Sequence, residues 1–364
     1  MPNYLDMACE LSHTIHHDEL ERDVLSEIDL NSPTTAQVHL DDGAARWLGE
    51  ADVVGLVSLS EVIEAIRRVY LRAAAGEIVA MPKTFASWDD GTMHAIGAVA
   101  TSSGLAVSKT WAHTGGGATP LLVAWDLATG RLRAVIQAFA LGQLRTSAVS
   151  GAATSVLAPQ RCDVLAVIGS GKQAEGQIAA VAAVRDVANI VVYSPTAEHR
   201  NSFAARIAER SHIAVRAAGS VAEAVDQADV VVTVTRATEP FLSTSMLGQR
   251  VHINAVGAIT PERAELEPAV VARARRIAAD DVAAARQMAP RELSAANAPH
   301  VLPLGQALAA GDHLDGDGLT IFKALGSGIS DLAVAELVLQ RAGAADMGRP
   351  LPVSPKSQPK MWSA

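Results

Sequence analysis

The stretch Asp163-Val-Leu-Ala-Val-Ile-Gly-Ser-Gly-Lys-Gln-Ala-Glu-Gly176 decides the fold. Val164 to Ile168 is a continuous apolar run, the pattern of a strand buried on both faces. It stops at Gly169-Ser170-Gly171, and helix-compatible residues follow from Lys172. The spacing is G-x-G-x-x-A, a dinucleotide fingerprint with Ala174 in the third small position. Gly169 suits a tight turn, and Gly171 leaves room for a pyrophosphate beside the backbone. Ala174 lets the helix approach the strand. Unpaired N–H groups at the helix start favour the phosphates.

A train of βα units follows. Strands are expected at Asn189 to Ser194, Ile213 to Ala217, Asp229 to Thr235 and Val251 to Val256. Amphipathic, Ala-rich segments lie between them, such as Thr196 to Ser211 and Ser220 to Ala228. Strands alternating with helices predict an α/β fold with a parallel, doubly wound sheet. Arg276 to Asp280 and Leu319 to Phe322 are further strand candidates, and Ser330 to Arg341 reads as an amphipathic helix with Asp331 near its start.

Upstream the pattern changes. Ser58-x-x-Glu61 is a capping box. Leu59, Val62, Ile63, Ile66, Val69 and Tyr70 form one apolar helix face behind it, closed by Gly76. Strand character returns at Ala95 to Ala100, Leu105 to Trp111, Leu121 to Asp126 and Leu132 to Ala138, with a turn at Ala128-Thr-Gly130. This reads as an antiparallel α+β region. Leu141 to Leu157, rich in Ser, Ala and Gly, predicts a tightly packed linking helix.

Bulk properties narrow the function. The 364 residues suit two domains, and 49% apolar content is ample for two cores. A net charge of −9 without a Lys/Arg cluster argues against nucleic acid. No apolar run approaches the roughly 18 residues of a membrane span. The early acidic residues Asp6 and Glu10 do not fit a signal peptide, and the isolated Cys9 and Cys162 suit a reducing cytoplasm. Residues 1–45 read as an extension; His13, His16 and His17 beside Asp18 and Glu19 suggest a metal site less than a solvated arm. No metal site is expected, and the Pro-rich tail 347–364 is expected to be irregular.

Gly104-Leu-Ala-Val-Ser-Lys109, Ala140-Leu-Gly-Gln-Leu-Arg-Thr146, Gly169-x-Gly171-x-Gln173-Ala174, His252-Ile-Asn-Ala-Val-Gly257 and Ile321-Phe-Lys-Ala-Leu-Gly326, followed by Asp331-Leu-Ala, occur in one order. From about Arg46 to Gly343 the chain resembles the ornithine cyclodeaminase/μ-crystallin family. The resemblance implies a Rossmann dinucleotide-binding domain, residues 143–321, and a discontinuous α+β substrate and dimerisation domain, residues 46–142 with 322–346 returning to it. It also implies a homodimer and a small α-imino or α-amino acid substrate.

By position, Lys109 and Arg145 match the family's carboxylate-binding cations and are the expected catalytic pair. A surface strand lysine and a structural ion pair are the alternatives. Lys83 stands where many members carry another Arg, which keeps the charge but loses the planar fork. His94 lies in the segment expected to border the substrate, as a pocket acid or as an ordinary surface or core histidine. The cofactor is expected against Thr146, Gly169, Ser170, Gly171, Gln173, Ala174, Ser194, Thr196, Arg200, Thr233, Thr235, Val256 and Gly257.

Cyclodeaminases of the family carry an acidic residue two positions after the Gly of the fifth-strand turn. Here the turn reads Gly257-Ala-Ile259-Thr-Pro-Glu262, so Ile259 takes that place. Isoleucine cannot act as acid or base. Glu262 or Glu265 could substitute for it, but each reads rather as a first-turn helix residue favoured by the helix dipole. The expected chemistry is therefore reduction of a C=N bond, or the reverse oxidation. A cyclodeaminase with bound NAD and a non-catalytic NADPH-binding protein are the alternatives. The second strand ends Tyr193-Ser194-Pro195-Thr196, with no carboxylate for a ribose 2′-hydroxyl. Hydroxyls at Ser194 and Thr196, with Arg200 nearby, favour NADPH, and Glu198 leaves NADH open.

Overall fold

The computed structural model describes residues 44–311, 318–352 and 357–362. The histidine cluster near residue 15 and Cys9 lie outside these residues. Two sheets sandwich a layer of helices. The first begins with β1 (Arg46–Leu48), followed by α1 (Glu50–Leu56) and α2 (Leu59–Ala74). The capping box holds α2 at its start: the Ser58 N–H donates to Glu61 Oε2 at 2.9 Å. Gly76, at φ +81°, ends it. Val62, Ile63, Ile66, Val69 and Tyr70 are buried on its inner face. Strands β2 (Ile78–Trp88), β3 (Gly91–Ala100), β4 (Leu105–Thr114), β5 (Gly117–Ala118), β6 (Leu121–Asp126) and β7 (Leu132–Gln137) follow. They pair antiparallel in the order β7-β6-β4-β3-β2, with β5 on β4 and β1 parallel to β7.

Helix α3 (Phe139–Leu157) runs between the two sheets and is buried on nearly every side of its second half. Small residues make that possible: a Cβ on Gly151 would sit 2.8 Å from Ile63 Cδ1. Its own sequence provides no N-cap side chain. Glu50 does so from α1, accepting from the Phe139 and Ala140 N–H groups at 2.8 and 2.7 Å. At the other end Arg185 donates to the carbonyls of Thr154, Ser155 and Ala158.

The second sheet is built from β8 (Cys162–Ile168), α4 (Ala174–Ala182), β9 (Val187–Tyr193), α5 (Ala197–Ser211), β10 (Ala214–Ala217), α6 (Val221–Val225), β11 (Val230–Thr233), β12 (Val251–Ala255), α7 (Pro268–Arg273), β13 (Ala274–Ala279), α8 (Val282–Met288), β14 (Leu302–Pro303), α9 (Leu304–Ala310) and β15 (Leu319–Lys323). Its order is β10-β9-β8-β11-β12-β15-β13-β14, every pair parallel. Strand order reverses between β8 and β11, where open parallel sheets bind ligands. Asp229 ties the two together, accepting from the Asp163 and Val164 N–H groups.

After β15 the chain returns to the first sheet through α10 (Gly328–Ala344) and β16 (Arg349–Pro350). Two expected boundaries shift. A division after residue 321 falls inside β15, which stays paired to β12 and β13 as far as Lys323. The expected irregular tail opens with an ordered bridge, since β16 pairs antiparallel with β1 (Arg46 with Pro350), and Arg46 Nη1 donates to the Met347 carbonyl. Among the described residues no helix is long and apolar enough to cross a membrane.

Candidate active site

A cleft of about 650 Å³ opens at the C-terminal ends of β8, β9, β11 and β12. Gly169, Ser170, Gly171 and Gln173 line it, with Thr146, Ser194, Thr196, Thr235, Val256, Gly257 and Ile259. Gly169 holds φ +121°, and a Cβ there would lie 2.7 Å from the Val234 carbonyl oxygen. Gly171 has open space around its Cα. A dinucleotide pyrophosphate fits this bare turn, which leads through Lys172 and Gln173 into α4. The buried Gln173 Oε1 has no partner among the described residues.

Three expected cofactor residues lie elsewhere. Ala174 is fully buried in helix–strand packing, where small size is what matters. Thr233 is buried and donates through Oγ1 to Glu265 Oε2 at 2.9 Å. Arg200 does not line the cleft. Its Nη1 donates to the Ser194 carbonyl at 2.8 Å, and its guanidinium stacks over Tyr193. His199, one residue earlier on α5, lines the cleft instead, as do Lys172, Arg236 and Arg263. Among the described lining residues Asp280 is the one carboxylate, and it follows β13, at the other side of the sheet from Ser194.

At the other end of the cleft stands Arg145, on the first turns of α3. Lys109, on β4, is 3% exposed, so it is not a surface lysine. Its Nζ donates to Asp331 Oδ1 at 2.6 Å, and Arg145 Nε lies 3.3 Å from the same oxygen. Asp331 Oδ2 has no partner among the described residues. Burial, then the neighbouring Arg145, lowers the Lys109 pKa to about 8. One buried carboxylate thus pairs with both cations, and of the three groups Arg145 alone lines the cleft, with Lys109 and Asp331 buried behind it.

Lys83 reaches the same region through a bulge. Met81 pairs with Gly97 and Thr84 with Ala95, so Pro82 and Lys83 share Ile96, which pairs across to Lys109. The bulge places two lysines in adjacent registers of one sheet. Burial and Arg145 push the Lys83 pKa down. His94 stacks on Trp111 with ring centroids 4.8 Å apart, lies 5.9 Å from Phe85, and shares a 2.8 Å hydrogen bond with Thr92 Oγ1. Its pKa is lowered by burial and by Lys83. The phenyl, imidazole and indole rings come from directly paired positions on three strands.

Several site residues carry no simple sequence signal. Asp331 is positioned as a helix-start carboxylate, but its role as the shared counter-ion appears only when α10 packs on β4. Asp280 accepts from the Leu325 and Gly326 N–H groups at 2.8 Å each, and Gly326, at φ +87°, lies against the Arg145 guanidinium. Glu265 is not a first-turn helix residue. It is buried and takes four hydrogen bonds from Thr233, Thr235 and Gly257. Glu262 is exposed and bonded to Thr260.

The ornithine cyclodeaminase/mu-crystallin family model matches residues 47–346, and the chain belongs to that family. A Delta(1)-pyrroline-2-carboxylate reductase of Bacillus cereus is 36% identical over 227 residues, 60% of this chain and 69% of that one. The iminosuccinate reductase of Paracoccus denitrificans, solved with NAD+, superposes with a TM-score of 0.80 at 26% identity, covering 85% of this chain and 100% of that one. An archaeal alanine dehydrogenase dimer with bound NAD gives a TM-score of 0.78 at 26% identity, covering 85% and 99%.

Proposed function

We propose that this protein is an NAD(P)H-dependent reductase of the C=N bond in small α-imino acids, yielding α-amino acids. The observation that carries the reading is Arg145, which lines a cleft that also holds a bare glycine turn and which shares the Asp331 carboxylate with the buried Lys109 behind it. Relatives named as reductases of pyrroline-2-carboxylate and iminosuccinate support it. When bound, the nicotinamide supplies a hydride to the imine carbon. Lys109 and Arg145 hold the substrate carboxylate, with Lys83 as a third cation. Asp331 keeps both main cations aimed. Ile259 and Val256 provide an apolar wall that limits water beside the reacting carbon. Ile259 at the acidic position of cyclodeaminases supports reduction over cyclodeamination, because a substrate imine can acquire its proton before it is reduced.

NADPH is the proposed cofactor. Among the described residues the cleft near Ser194 is edged by Ser194, Thr196 and His199 without a carboxylate. That environment suits a 2′-phosphate and gives a 2′-hydroxyl no acidic acceptor. A homodimer is proposed through the first sheet. Its edge strand β2 is exposed along nearly its whole length, and Val79, Met81, Phe85, Trp88 and Met93 stand out as apolar surface. The archaeal alanine dehydrogenase is itself a dimer.

The reading is tested by comparing 1-pyrroline with 1-pyrroline-2-carboxylate under saturating NADPH. The carboxylate-bearing imine should be reduced and its decarboxylated analogue left nearly untouched. Equal rates would remove the clamp from the account.

A further inference from the structure

Glu265 lies one residue behind the cleft wall. It is fully buried. Its Oε1 accepts from the Thr235 N–H at 2.7 Å and from Thr235 Oγ1 at 2.8 Å. Its Oε2 accepts from the Gly257 N–H and from Thr233 Oγ1, both at 2.9 Å. Thr235 and Gly257 line the cleft at the ends of β11 and β12. A Cβ on Gly257 would meet Glu265 Oε1 at 2.4 Å, so the carboxylate and the wall are in direct contact.

Among the described residues the four groups that donate to this carboxylate are neutral. The buried Lys323 Nζ donates to Glu292 Oε2 at 2.5 Å. Glu292 is buried too, and its Oε1 accepts from the Glu265 and Leu266 N–H groups. The trio of Glu265, Glu292 and Lys323 therefore carries two carboxylates against one ammonium. Burial raises the Glu265 pKa and Glu292 adds to the rise, while Lys323 and the Thr235 donors oppose it. Two backbone N–H donors, which cannot accept a proton in return, fit the ionised form. Arg236 and Arg263 edge the same cleft from its wetter side, where solvent screens them more strongly.

We propose that the buried charge of Glu265, left over from the Glu292–Lys323 pair, biases the bound nicotinamide towards its oxidised form and so strengthens it as a hydride donor. The inference rests on reading the cleft as a nicotinamide dinucleotide site. In the reduction, a hydride leaves the nicotinamide C4 with its electron pair and forms the new C–H bond. A proton completes the amine. The ring passes from neutral to positively charged. A fixed negative charge behind the strand ends stabilises that product state and leaves the reduced ring nearly unaffected. Glu265 touches neither substrate nor cofactor, so its role is electrostatic and positioning.

The experiment is equilibrium titration of NADPH by its fluorescence, with NADP+ measured by competition, on wild type, E265Q and E292Q. Each variant removes one unit of negative charge from the trio. Each should weaken NADP+ relative to NADPH by roughly threefold to tenfold, the scale of one unit charge across a partly screened protein interior. E292Q carries the same expectation if E265Q fails to fold. Equal losses for both cofactor forms, or an unchanged ratio, would reduce Glu265 to a structural role and overturn the inference. Wild type binding neither form would overturn the cofactor reading itself.

Discussion

Lys109 and Asp331 stand 222 residues apart in sequence and meet at 2.6 Å, sealed from solvent. One comes from the antiparallel sheet and the other from the helix that closes the chain's return to it. Their contact ties the return of the chain to the first sheet. Removing Asp331 leaves Lys109 buried without its counter-ion. Asp331→Asn should therefore cost about 3–5 kcal/mol of stability, read as the shift in a urea midpoint. Loss of under 1 kcal/mol would mean that solvent reaches the pair.

Lys109→Met and Arg145→Leu should each lower kcat/KM for an α-imino acid by about 2–4 kcal/mol, roughly 30- to 1000-fold. NADPH affinity should change less than threefold. Steady-state kinetics and fluorescence titration separate the two. A parallel loss of NADPH binding would place these cations at the cofactor.

The lowered Lys109 pKa of about 8 predicts a basic limb in the rate profile. Lys109 is charged below that pH and neutral above it. The carboxylate clamp is therefore present at pH 7 and weakens as pH rises through 8. The fall in kcat/KM should move to higher pH in Lys109→Arg, because guanidinium does not titrate there. A basic limb unmoved by that substitution would point to another group.

His252 predicts how stability depends on acid. It is buried between Thr320 and Asn254, and burial lowers its pKa to about 3. The unfolded histidine titrates at its ordinary value near 6.5, so the unfolded state binds the extra proton first. This contribution is intact above pH 6.5 and is lost as pH falls, by about 2 kcal/mol at pH 5. Asp280, raised to about 6 by burial, works in the opposite sense between pH 6 and 4. The difference between wild type and His252→Gln isolates the histidine, and the variant should show a shallower loss between pH 8 and 5. Parallel pH profiles would rule the linkage out.

The nucleotide half was legible because its strands are continuous apolar runs punctuated by glycine, and burial on both faces leaves that pattern. The strand Ile78–Trp88 was not, because Pro82, Lys83 and an exposed edge position break any alternation. The helices Pro268–Arg273, Val282–Met288 and Leu304–Ala310 span six or seven residues, too few for periodicity to register. Side-chain direction was the other blind spot. Arg200 stands at the right distance from the glycines, yet the Ser194 carbonyl holds it. Glu265 looked like a helix-start residue because nothing local announces that two strand-end turns converge on it.

The most direct test is turnover itself: NADPH oxidation by wild type with 1-pyrroline-2-carboxylate, followed alongside ammonia release from ornithine and lysine. The account predicts steady NADPH consumption matched one to one by the cyclic amino acid, with no ammonia above background. Ammonia release at a comparable rate, or NADPH binding without consumption across imino acids, would contradict it.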